Sequence, residues 1–432
     1  MSEPTAPAPP DPATLEVTGG TPLRGRLRMP GDKSISHRAI LFSALASGTS
    51  TINGLSDGAD VRHTLAAVES LGATVELTDA GVCIEGGRLH ASGQVIDVGN
   101  SGTGIRLLAG VAAGLPGRTE LDGDASIRSR PMDRVAEPLR LMGATVGGPA
   151  AGRFAPLVIT GGSLHGIDYS SPVASAQVKS AVLIAGLAAD GVTVVREPAV
   201  SRRHTEEMLA ARGADVSIEG TTVRLRPSSL HALDESVPGD PSQAAFWIAG
   251  AAGVAGSEIT VEDVYLGPAR DGFLDVLRRM GADIDIDATG GSAATISVRG
   301  RSLVATEVAP DEVPGLVDEI PALAVAAALA SGTTVIRGAG ELRVKESDRL
   351  ATITQLLTGF GVPAVAEGDR LTITGGAPLR AATVDSHGDH RIAMAAAIAA
   401  TAATGRSTIT GFEAVATSYP AFAADLAICT GA

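Results

Sequence analysis

The chain has 432 residues, of which 44% are hydrophobic and 19% are charged, and its formal net charge is −14. This length predicts two or three folded domains, and the composition excludes a disordered chain. The acidic balance and the 3% share of aromatic residues argue against a nucleic-acid partner. Because no apolar stretch reaches the roughly 18 residues that a membrane span needs, we also expect no membrane partner.

The first residues of the chain and its two cysteines both indicate in which cellular compartment the protein is found. Five prolines occur in the first dozen residues, and we predict a disordered, proline-rich tail over residues 1–14 rather than a signal peptide. Cys83 and Cys429 lack the spacing of a metal site or of a disulfide framework. This cysteine usage favours a reducing compartment, so we expect a cytoplasmic protein.

Two recurring glycine patterns divide the chain into six units. The first pattern follows charged amphipathic segments, with spacings of 71, 70, 68 and 80 residues between Gly72, Gly143, Gly213, Gly281 and Gly361. The second pattern ends apolar segments and is followed by β-formers, at Gly48, Gly117, Gly191, Gly256, Gly332 and Gly405. The pattern within each unit therefore predicts a buried inner helix, a strand, an amphipathic outer helix and a further strand.

In chain order, the apolar segments 36–46 and 175–188 predict inner helices, and residues 49–52 and 193–195 predict the strands that follow them. Outer helices are predicted over residues 60–71, 134–142, 204–212, 271–280 and 347–360. Six such units form an α/β (α+β) protein and group naturally as three plus three. We predict one domain over residues 31–236 and a second over residues 15–30 plus 237–432, with a cleft between them.

Lysine is rare in this chain and is confined to unusual segments. Of the 34 Lys and Arg residues only Lys33, Lys179 and Lys345 are lysines. Lys33 lies in residues 29–38, MPGDKSISHR, with Ser34 and Arg38 at the predicted start of an inner helix. The free N–H groups and the dipole of a helix start favour a bound anion.

Charged or glycine-rich segments also precede or follow the other inner helices. They read GNSGTGIR, RSRP, SAQVKS, DEIP, RVKESDR and GDHR, beginning at residues 99, 128, 175, 318, 343 and 388. If the units are related by pseudo-symmetry, these segments converge on one cleft. Several arginines and lysines there indicate substrates with more than one anionic group. Asp318 and Glu346 are candidates for proton transfer.

Seven motifs in this order carry a resemblance that covers essentially the whole chain after the tail. They are PGDKSISHR, GNSGTGIR, RSRP, ASAQVKSA, DEIPALAVAAALA, ELRVKESDR and GDHRIAMA. The sequence resembles the 3-phosphoshikimate 1-carboxyvinyltransferase (EPSP synthase) family, in the form often described as its second class. The resemblance implies two domains, each of three βαβαββ units around a pseudo-threefold axis. It also implies transfer of the enolpyruvyl group of phosphoenolpyruvate to the 5-hydroxyl of shikimate 3-phosphate through a tetrahedral intermediate, with no metal or organic cofactor.

The resemblance also implies roles for individual residues. Shikimate 3-phosphate would contact Lys33, Ser34, Arg38, Ser175, Ala176, Gln177, Arg202, Asp318 and Lys345. Phosphoenolpyruvate would contact Lys33, Gly102, Arg130, Gln177, Arg349 and Arg391. Asp318 would accept the proton of the 5-hydroxyl, and Lys33 and Glu346 would carry protons at the methylene carbon.

Two positions depart from the pattern of many members. Thr417 stands where a phosphate-binding lysine would fall, and Glu341 stands where some members have asparagine. Three other interpretations compete with the synthase: a UDP-N-acetylglucosamine enolpyruvyl transferase, a non-catalytic relative that binds a phosphorylated metabolite, and a structural repeat protein. The first of these typically uses a catalytic cysteine, and neither cysteine here lies near an anion motif. We expect a monomer that binds small anionic substrates.

Overall fold

The computed structural model describes residues 13–79, 81–288 and 293–431. Its α-helices are α1 (Lys33–Leu45), α2 (Ala59–Ser70), α3 (Gly102–Gly114), α4 (Ala125–Ser129), α5 (Asp133–Leu141), α6 (Pro149–Gly152), α7 (Ala176–Gly186), α8 (His204–Ala211), α9 (Pro241–Gly253), α10 (Gly272–Arg279), α11 (Ile320–Leu329), α12 (Arg349–Gly359), α13 (His390–Ala402) and α14 (Phe422–Thr430). Short 3-10 helices cover Val313–Gly315, Ala339–Val344 and Phe412–Thr417. Among the helices described, none is both long and apolar enough to cross a membrane.

The strands within the described ranges form six small sheets. They are β1 (Thr14–Thr18), β2 (Arg24–Arg28), β3 (Gly48–Asn53), β4 (Thr74–Thr78), β5 (Gly81–Gly86), β6 (Val95–Asp97), β7 (Gly117–Asp122), β8 (Thr145–Gly147), β9 (Leu157–Gly161), β10 (Asp168–Ser170), β11 (Thr193–Arg196), β12 (Val216–Glu219), β13 (Thr222–Leu225), β14 (Glu235–Ser236), β15 (Glu258–Tyr265), β16 (Asp283–Asp287), β17 (Ala293–Arg299), β18 (Glu307–Val308), β19 (Gly332–Ile336), β20 (Ala364–Glu367), β21 (Arg370–Gly375), β22 (Thr383–Asp385) and β23 (Arg406–Thr410). Their orders are β14-β3-β5-β4, β6-β7-β9-β8, β10-β11-β13-β12, β2-β15-β17-β16, β18-β19-β21-β20 and β1-β23-β22.

In the units built around α3, α7, α11 and α13, the inner helix joins two parallel, neighbouring strands. A strand leads through an inner helix to a parallel neighbour, as β6 leads through α3 to β7, where Ile96 lies opposite Leu121. An outer helix and an antiparallel pair complete the unit, as α5, β8 and β9 do there. Three sheets are completed by segments distant in sequence, because β14 pairs with β3, β2 pairs with β15 and β1 pairs with β23.

Two separate apolar cores form around the inner helices. Helices α1, α3 and α7 contribute buried residues such as Phe42 and Leu107 to the first core. Helices α9, α11 and α13 contribute Trp247, Val325 and Met394 to the second, which also includes residues of β1 and β2. These inner helices are buried on nearly all sides, which explains their uniformly apolar sequences.

The first and last residues of the helices lie within three residues of the bounds predicted from the sequence. The largest difference is at α1, which begins at Lys33 rather than at Ser36, because Asp32 accepts a hydrogen bond from the N–H of Ile35 at 2.8 Å and so caps the helix earlier. At the N-terminus, β1 begins at Thr14, inside the stretch 1–14 that the sequence assigns to a tail. Residues 1–12 of that predicted tail lie outside the described residues.

Both repeated glycines adopt a left-handed backbone conformation. In the first pattern φ ranges from 82° to 107°, and in the second from 84° to 111°. A side chain at such a φ is strained, whereas glycine adopts it freely. The repeated glycines therefore mark left-handed turns of the backbone that recur from unit to unit.

The two chain crossings between the cores lie side by side. The N–H of Asp32 donates to the carbonyl of Pro238 at 2.7 Å, and the N–H of Asp240 donates to the carbonyl of Pro30 at 2.9 Å. Arg270, only 1% exposed, binds the carboxylates of both Asp32 and Asp240, the latter at 2.8 Å. One buried guanidinium thus joins the caps of α1 and α9, which begin in different cores.

Candidate active site

The N-terminal ends of all six inner helices open into one cleft between the two cores. Residues from the first turn, or from the two positions before it, line the cleft for each of α1, α3, α7, α9, α11 and α13. A helix N-terminus carries partial positive charge and N–H groups without carbonyl partners in the helix. Six such ends around one space favour the binding of anions.

Within the described ranges, seven cationic side chains line this cleft, which encloses about 1000 Å³ of space, part of it open to solvent. They come from both halves of the chain: Lys33, Arg106, Arg130, Arg134, Arg202, Lys345 and Arg391. The lining carboxylates are Asp60, Asp240, Asp318, Glu341 and Glu346. The cleft therefore holds a local excess of positive charge in a protein that is acidic overall.

Ion pairs cross the cleft from one half of the chain to the other. Arg202 lies 2.8 Å from Asp318, and Arg134 makes a two-pronged contact with Glu341 at 2.9 and 3.1 Å. Arg130 lies 3.7 Å from Glu346. Cationic groups of the first half thus face carboxylates of the second, and anionic substrates entering the cleft would compete for the same arginines.

Lys33 is held at the junction of the two halves. Its ammonium Nζ lies 2.6 Å from Asp60, which begins the outer helix of the same unit. Its backbone N–H donates to Asp240 at 3.2 Å, the cap of α9 in the second half. The side chain is 16% exposed and lines the cleft, so its ammonium can contact a ligand there.

Asp318 is a carboxylate surrounded by cations. Burial by itself would raise its pKa, but Lys345, Arg391, Arg202 and Arg349 together hold the pKa well below the usual range. Lys345 lies 3.5 Å from its carboxylate, and Arg391 donates to its backbone carbonyl at 2.8 Å. Asp318 is therefore ionised among these cations and able to accept a proton.

Glu346 is a second ionised carboxylate in the cleft. Burial raises its pKa, but Arg349, Arg130 and Lys33 hold the pKa well below the usual range. The contact with Arg349 is the shortest, at 2.6 Å. Glu346 thus has the protonation state of a proton acceptor.

The structure brings most of the predicted site residues to the cleft wall. Those that line it are Lys33, Ser34, Gly102, Arg130, Ser175, Gln177, Arg202, Asp318, Lys345, Glu346 and Arg391. Ala176 lines an adjoining groove that shares Arg202 and Asp318 with the cleft. The four cations Lys33, Arg130, Lys345 and Arg391 face this one space, although they come from distant parts of the sequence.

Two predicted contact residues lie one layer behind the wall. Arg38 is 2% exposed, and its guanidinium donates to Thr205, Ser180 and the carbonyl of Ser34 at 2.7 to 2.8 Å. Arg349 is 1% exposed and is bound by Asp389 as well as by Glu346 and Asp318. In this arrangement both arginines support residues of the wall.

Lys179 does not reach the cleft, although its segment is one of the predicted anion motifs. Its side chain is 2% exposed and faces Glu197 and Glu206 on the far side of α7. The helical period explains this, since Lys179 is two residues beyond Gln177 and so projects from another face. Thr417 is not among the lining residues either.

Sequence reasoning missed several residues of the cleft wall. Asp60 binds Lys33, and Arg106 donates to Gln177 at 2.9 Å and to the carbonyl of Gly102 at 3.0 Å. Arg134 pairs with Glu341. The position of Arg106 one helical turn after Gly102 was a usable signal, because residues four apart share a face. Asp60 and Arg134 lie in the first turns of outer helices, whose sequences look like those of solvated surfaces.

Solved structures show the same architecture. The EPSP synthase from Acinetobacter baumannii matches this chain with a TM-score of 0.84 and 40% sequence identity, covering 96% of this chain and 98% of that chain. The enolpyruvyl transferase NikO from Streptomyces tendae matches with a TM-score of 0.78 at 19% identity and 96% coverage of this chain and 97% of that one, which shows the fold alone. The six-unit fold therefore defines a protein of the enolpyruvyl-transferase fold.

The sequence comparisons define the family within this fold. The family described as EPSP synthase (3-phosphoshikimate 1-carboxyvinyltransferase) matches residues 17–426. The 3-phosphoshikimate 1-carboxyvinyltransferase of Synechococcus sp. (strain JA-3-3Ab) is 50% identical over 420 residues, 94% of this chain and 95% of that protein. The Bacillus anthracis protein of the same name is 47% identical over 414 residues, 94% of this chain and 96% of that protein. The chain belongs to the EPSP synthase family.

Proposed function

We propose that this chain is an enzyme that transfers the enolpyruvyl group of phosphoenolpyruvate to the 5-hydroxyl of shikimate 3-phosphate and releases phosphate. This is a transferase step of the shikimate pathway, which leads to aromatic amino acids. The observation that carries the proposal is the convergence of six helix N-termini and seven cationic side chains on one cleft that also holds two ionised carboxylates. Two small polyanions and a proton-transfer reaction need this combination.

The phosphate of shikimate 3-phosphate is assigned to the first turn of α7. Ser175, Ala176 and Gln177 supply a hydroxyl, backbone N–H groups and an amide there, and Arg202 adds charge. Asp318 and Lys345 would hold the ring hydroxyls. Ser34 would meet the carboxylate, and Arg38 would support Ser34 from behind through its contact with the Ser34 carbonyl.

Phosphoenolpyruvate is assigned to the part of the cleft around α3. Its phosphate would contact Lys33, Arg130, Gln177 and the backbone at Gly102, which all line the cleft. Arg130 also donates to Asn100, which belongs to the glycine-rich segment before α3. Arg391, with Arg349 behind it, would hold the substrate carboxylate.

The charge state of each group suggests its part in the reaction. Asp318 accepts the proton of the 5-hydroxyl as the hydroxyl oxygen attacks the enol carbon. Lys33 donates a proton to the methylene carbon, which gives the tetrahedral intermediate. Glu346, which is ionised, accepts a proton from the methyl group when phosphate leaves and the double bond is restored. When the anionic substrates bind, their charges partly neutralise the cations around Asp318. This raises the basicity of its carboxylate while the substrates are bound.

Replacement of Gly102 tests the assignment of phosphoenolpyruvate. An added Cβ would lie 2.8 Å from Nη1 of Arg130 and 3.0 Å from Nη1 of Arg106, so both guanidinium groups must shift. For Gly102→Ala we expect a roughly tenfold higher KM for phosphoenolpyruvate and an unchanged KM for shikimate 3-phosphate. We also expect glyphosate to compete with phosphoenolpyruvate in the wild type, with a larger inhibition constant in the variant. Equal inhibition constants for the two proteins would argue against this placement.

The function is tested most directly by acceptor specificity. Phosphate release from phosphoenolpyruvate is measured with shikimate 3-phosphate, with UDP-N-acetylglucosamine and with no acceptor. We expect release with the first acceptor only. Release with UDP-N-acetylglucosamine only would favour the alternative transferase, and release with neither would favour a non-catalytic relative. Among the residues lining the cleft there is no cysteine, which argues against the alternative transferase.

We propose the domain division given by the sequence, residues 31–236 and residues 15–30 plus 237–432, and the two separate apolar cores support it. A monomeric, cytoplasmic protein is part of the same proposal. Sedimentation of the purified protein would test the monomer.

A further inference from the structure

A buried group of three charged residues lies behind the first turn of α7. The ammonium of Lys179 is 2.7 Å from Glu197 and 2.8 Å from Glu206, and all three side chains are at most 2% exposed. Buried charges are costly unless they are paired. The group carries one positive and two negative charges, and none of the three residues lines the cleft, so the catalytic roles assigned above leave it without a purpose.

Glu197 connects this group to two segments of the cleft wall. Its Oε1 accepts a hydrogen bond from the N–H of Ser175 at 3.0 Å. Its Oε2 accepts one from the hydroxyl of Ser201 at 2.9 Å. Ser175 is the cap of α7, and Ser201 directly precedes Arg202. One carboxylate thus joins the start of α7 to the loop that carries Arg202.

We propose that Glu197 is a positioning residue for the phosphate of shikimate 3-phosphate and that Lys179 holds it in place. The inference rests on the proposed function, which assigns that phosphate to Ser175, Gln177 and Arg202. Glu197 fixes the distance between the α7 N-terminus and Arg202, the two sources of positive charge for this phosphate. It does not touch the substrate itself.

The neighbouring charges explain why lysine is present at position 179. An unpaired carboxylate behind the first turn of α7 would weaken the attraction of that helix end for a phosphate. Lys179 neutralises Glu197 from the protein interior, where it does not compete with the substrate for space. Its compact ammonium also bridges Glu197 and Glu206 at once, a contact for which a point charge suffices.

The test compares two variants, each of which removes one of the two carboxylate charges that pair with Lys179. In Glu197→Gln the amide can still accept from the Ser175 N–H, but it presents an NH₂ group to Ser201 and Lys179. We expect the KM for shikimate 3-phosphate to rise roughly tenfold, with the KM for phosphoenolpyruvate and kcat changed less than about threefold. Glu206→Gln also touches Lys179 but contacts neither Ser175 nor Ser201, and we expect it to leave both KM values unchanged.

Wild-type turnover with shikimate 3-phosphate is measured first, because its absence would reject the proposed function rather than the role of Glu197. Thermal unfolding of both variants is recorded in parallel. A lower Tm with the same KM values as the wild type, or equal KM shifts in the two variants, would show that Glu197 has only a structural role. A rise confined to the KM for phosphoenolpyruvate would also overturn the proposal.

Discussion

Asp318→Asn is expected to lower kcat by roughly 10³-fold while leaving the KM for shikimate 3-phosphate unchanged or lower. The asparagine keeps the shape of the side chain but takes up no proton from the 5-hydroxyl. Steady-state kinetics with each substrate varied in turn measures both effects. The loss corresponds to about 4 kcal/mol of transition-state stabilisation.

The unchanged KM follows from the charges around Asp318. Arg202 lies 2.8 Å from its carboxylate, Lys345 lies 3.5 Å away and Arg349 lies 3.4 Å away. Without the carboxylate these cations lose a partner in the empty enzyme and remain available to the anionic substrate. Binding of shikimate 3-phosphate therefore does not weaken, although the reaction slows.

Asp311→Asn is the matched control for this prediction. Asp311 lies on the same connecting segment between β18 and α11, is exposed and does not line the cleft. We expect wild-type kinetics for it. If Asp318→Asn retained kcat within tenfold and showed only weakened affinity, Asp318 would only bind the substrate and would not act as the base.

The free energy of unfolding is expected to fall by about 4 kcal/mol between pH 7.5 and pH 5.5 because of three buried histidines. Burial, followed by nearby cations such as Lys33, holds the pKa of His37 and of His390 well below the ordinary value of 6.5. Burial and then Arg270 do the same for the pKa of His204. All three imidazoles are therefore neutral in the folded protein at these pH values.

The sign follows from proton uptake by the unfolded chain. Below pH 6.5 each of the three histidines binds a proton when the protein unfolds and none while it is folded. The unfolded state thus gains about 1.4 kcal/mol per histidine for each pH unit below its pKa. The stability is fully present above pH 6.5 and is lost as the pH falls towards the depressed folded values.

Urea unfolding at a series of pH values measures this effect, and a histidine variant identifies its source. His204 packs edge-on against Tyr265, with ring centroids 5.1 Å apart, and neither ring nitrogen has a hydrogen-bond partner among the described residues. His204→Phe should reduce the decrease in the free energy of unfolding between pH 7.5 and pH 5.5 by about a third. In the control variant His231→Gln, which replaces an exposed histidine, we expect the same decrease as in the wild type. A stability independent of pH in this interval would refute the neutral state of the three rings.

Local sequence was a reliable guide to the elements of this fold. The outer helices are found within two residues of their predicted bounds, because an apolar face with a period of 3.6 residues and a terminal glycine are both local signals. A third set of structural glycines was missed. A Cβ at Gly86, Gly161 or Gly375 would lie 2.1 to 2.2 Å from a carbonyl oxygen near the end of an inner helix. That constraint arises only when the strand packs on the helix.

The candidate site was harder to predict from local sequence. Motifs at the inner-helix starts pointed to the right segments, and eleven of the predicted site residues line the cleft. Whether a given side chain in such a segment faces the cleft depends on the helix face and on its neighbours. Arg38 and Arg349 have buried partners and lie behind the wall, and Lys179 faces the interior.

The amino-acid sequence by itself determined the six units, the buried inner helices, the left-handed glycine turns and the residues that carry charge at the helix starts. Each of these depends on residues close together in the chain, so periodicity and composition record them. Only the tertiary structure decided that Arg202 would face Asp318, that Arg134 would pair with Glu341 and that Asp60 would bind Lys33. These contacts join residues from 27 to 207 positions apart, and they exist because two cores pack their helix N-termini towards a shared space.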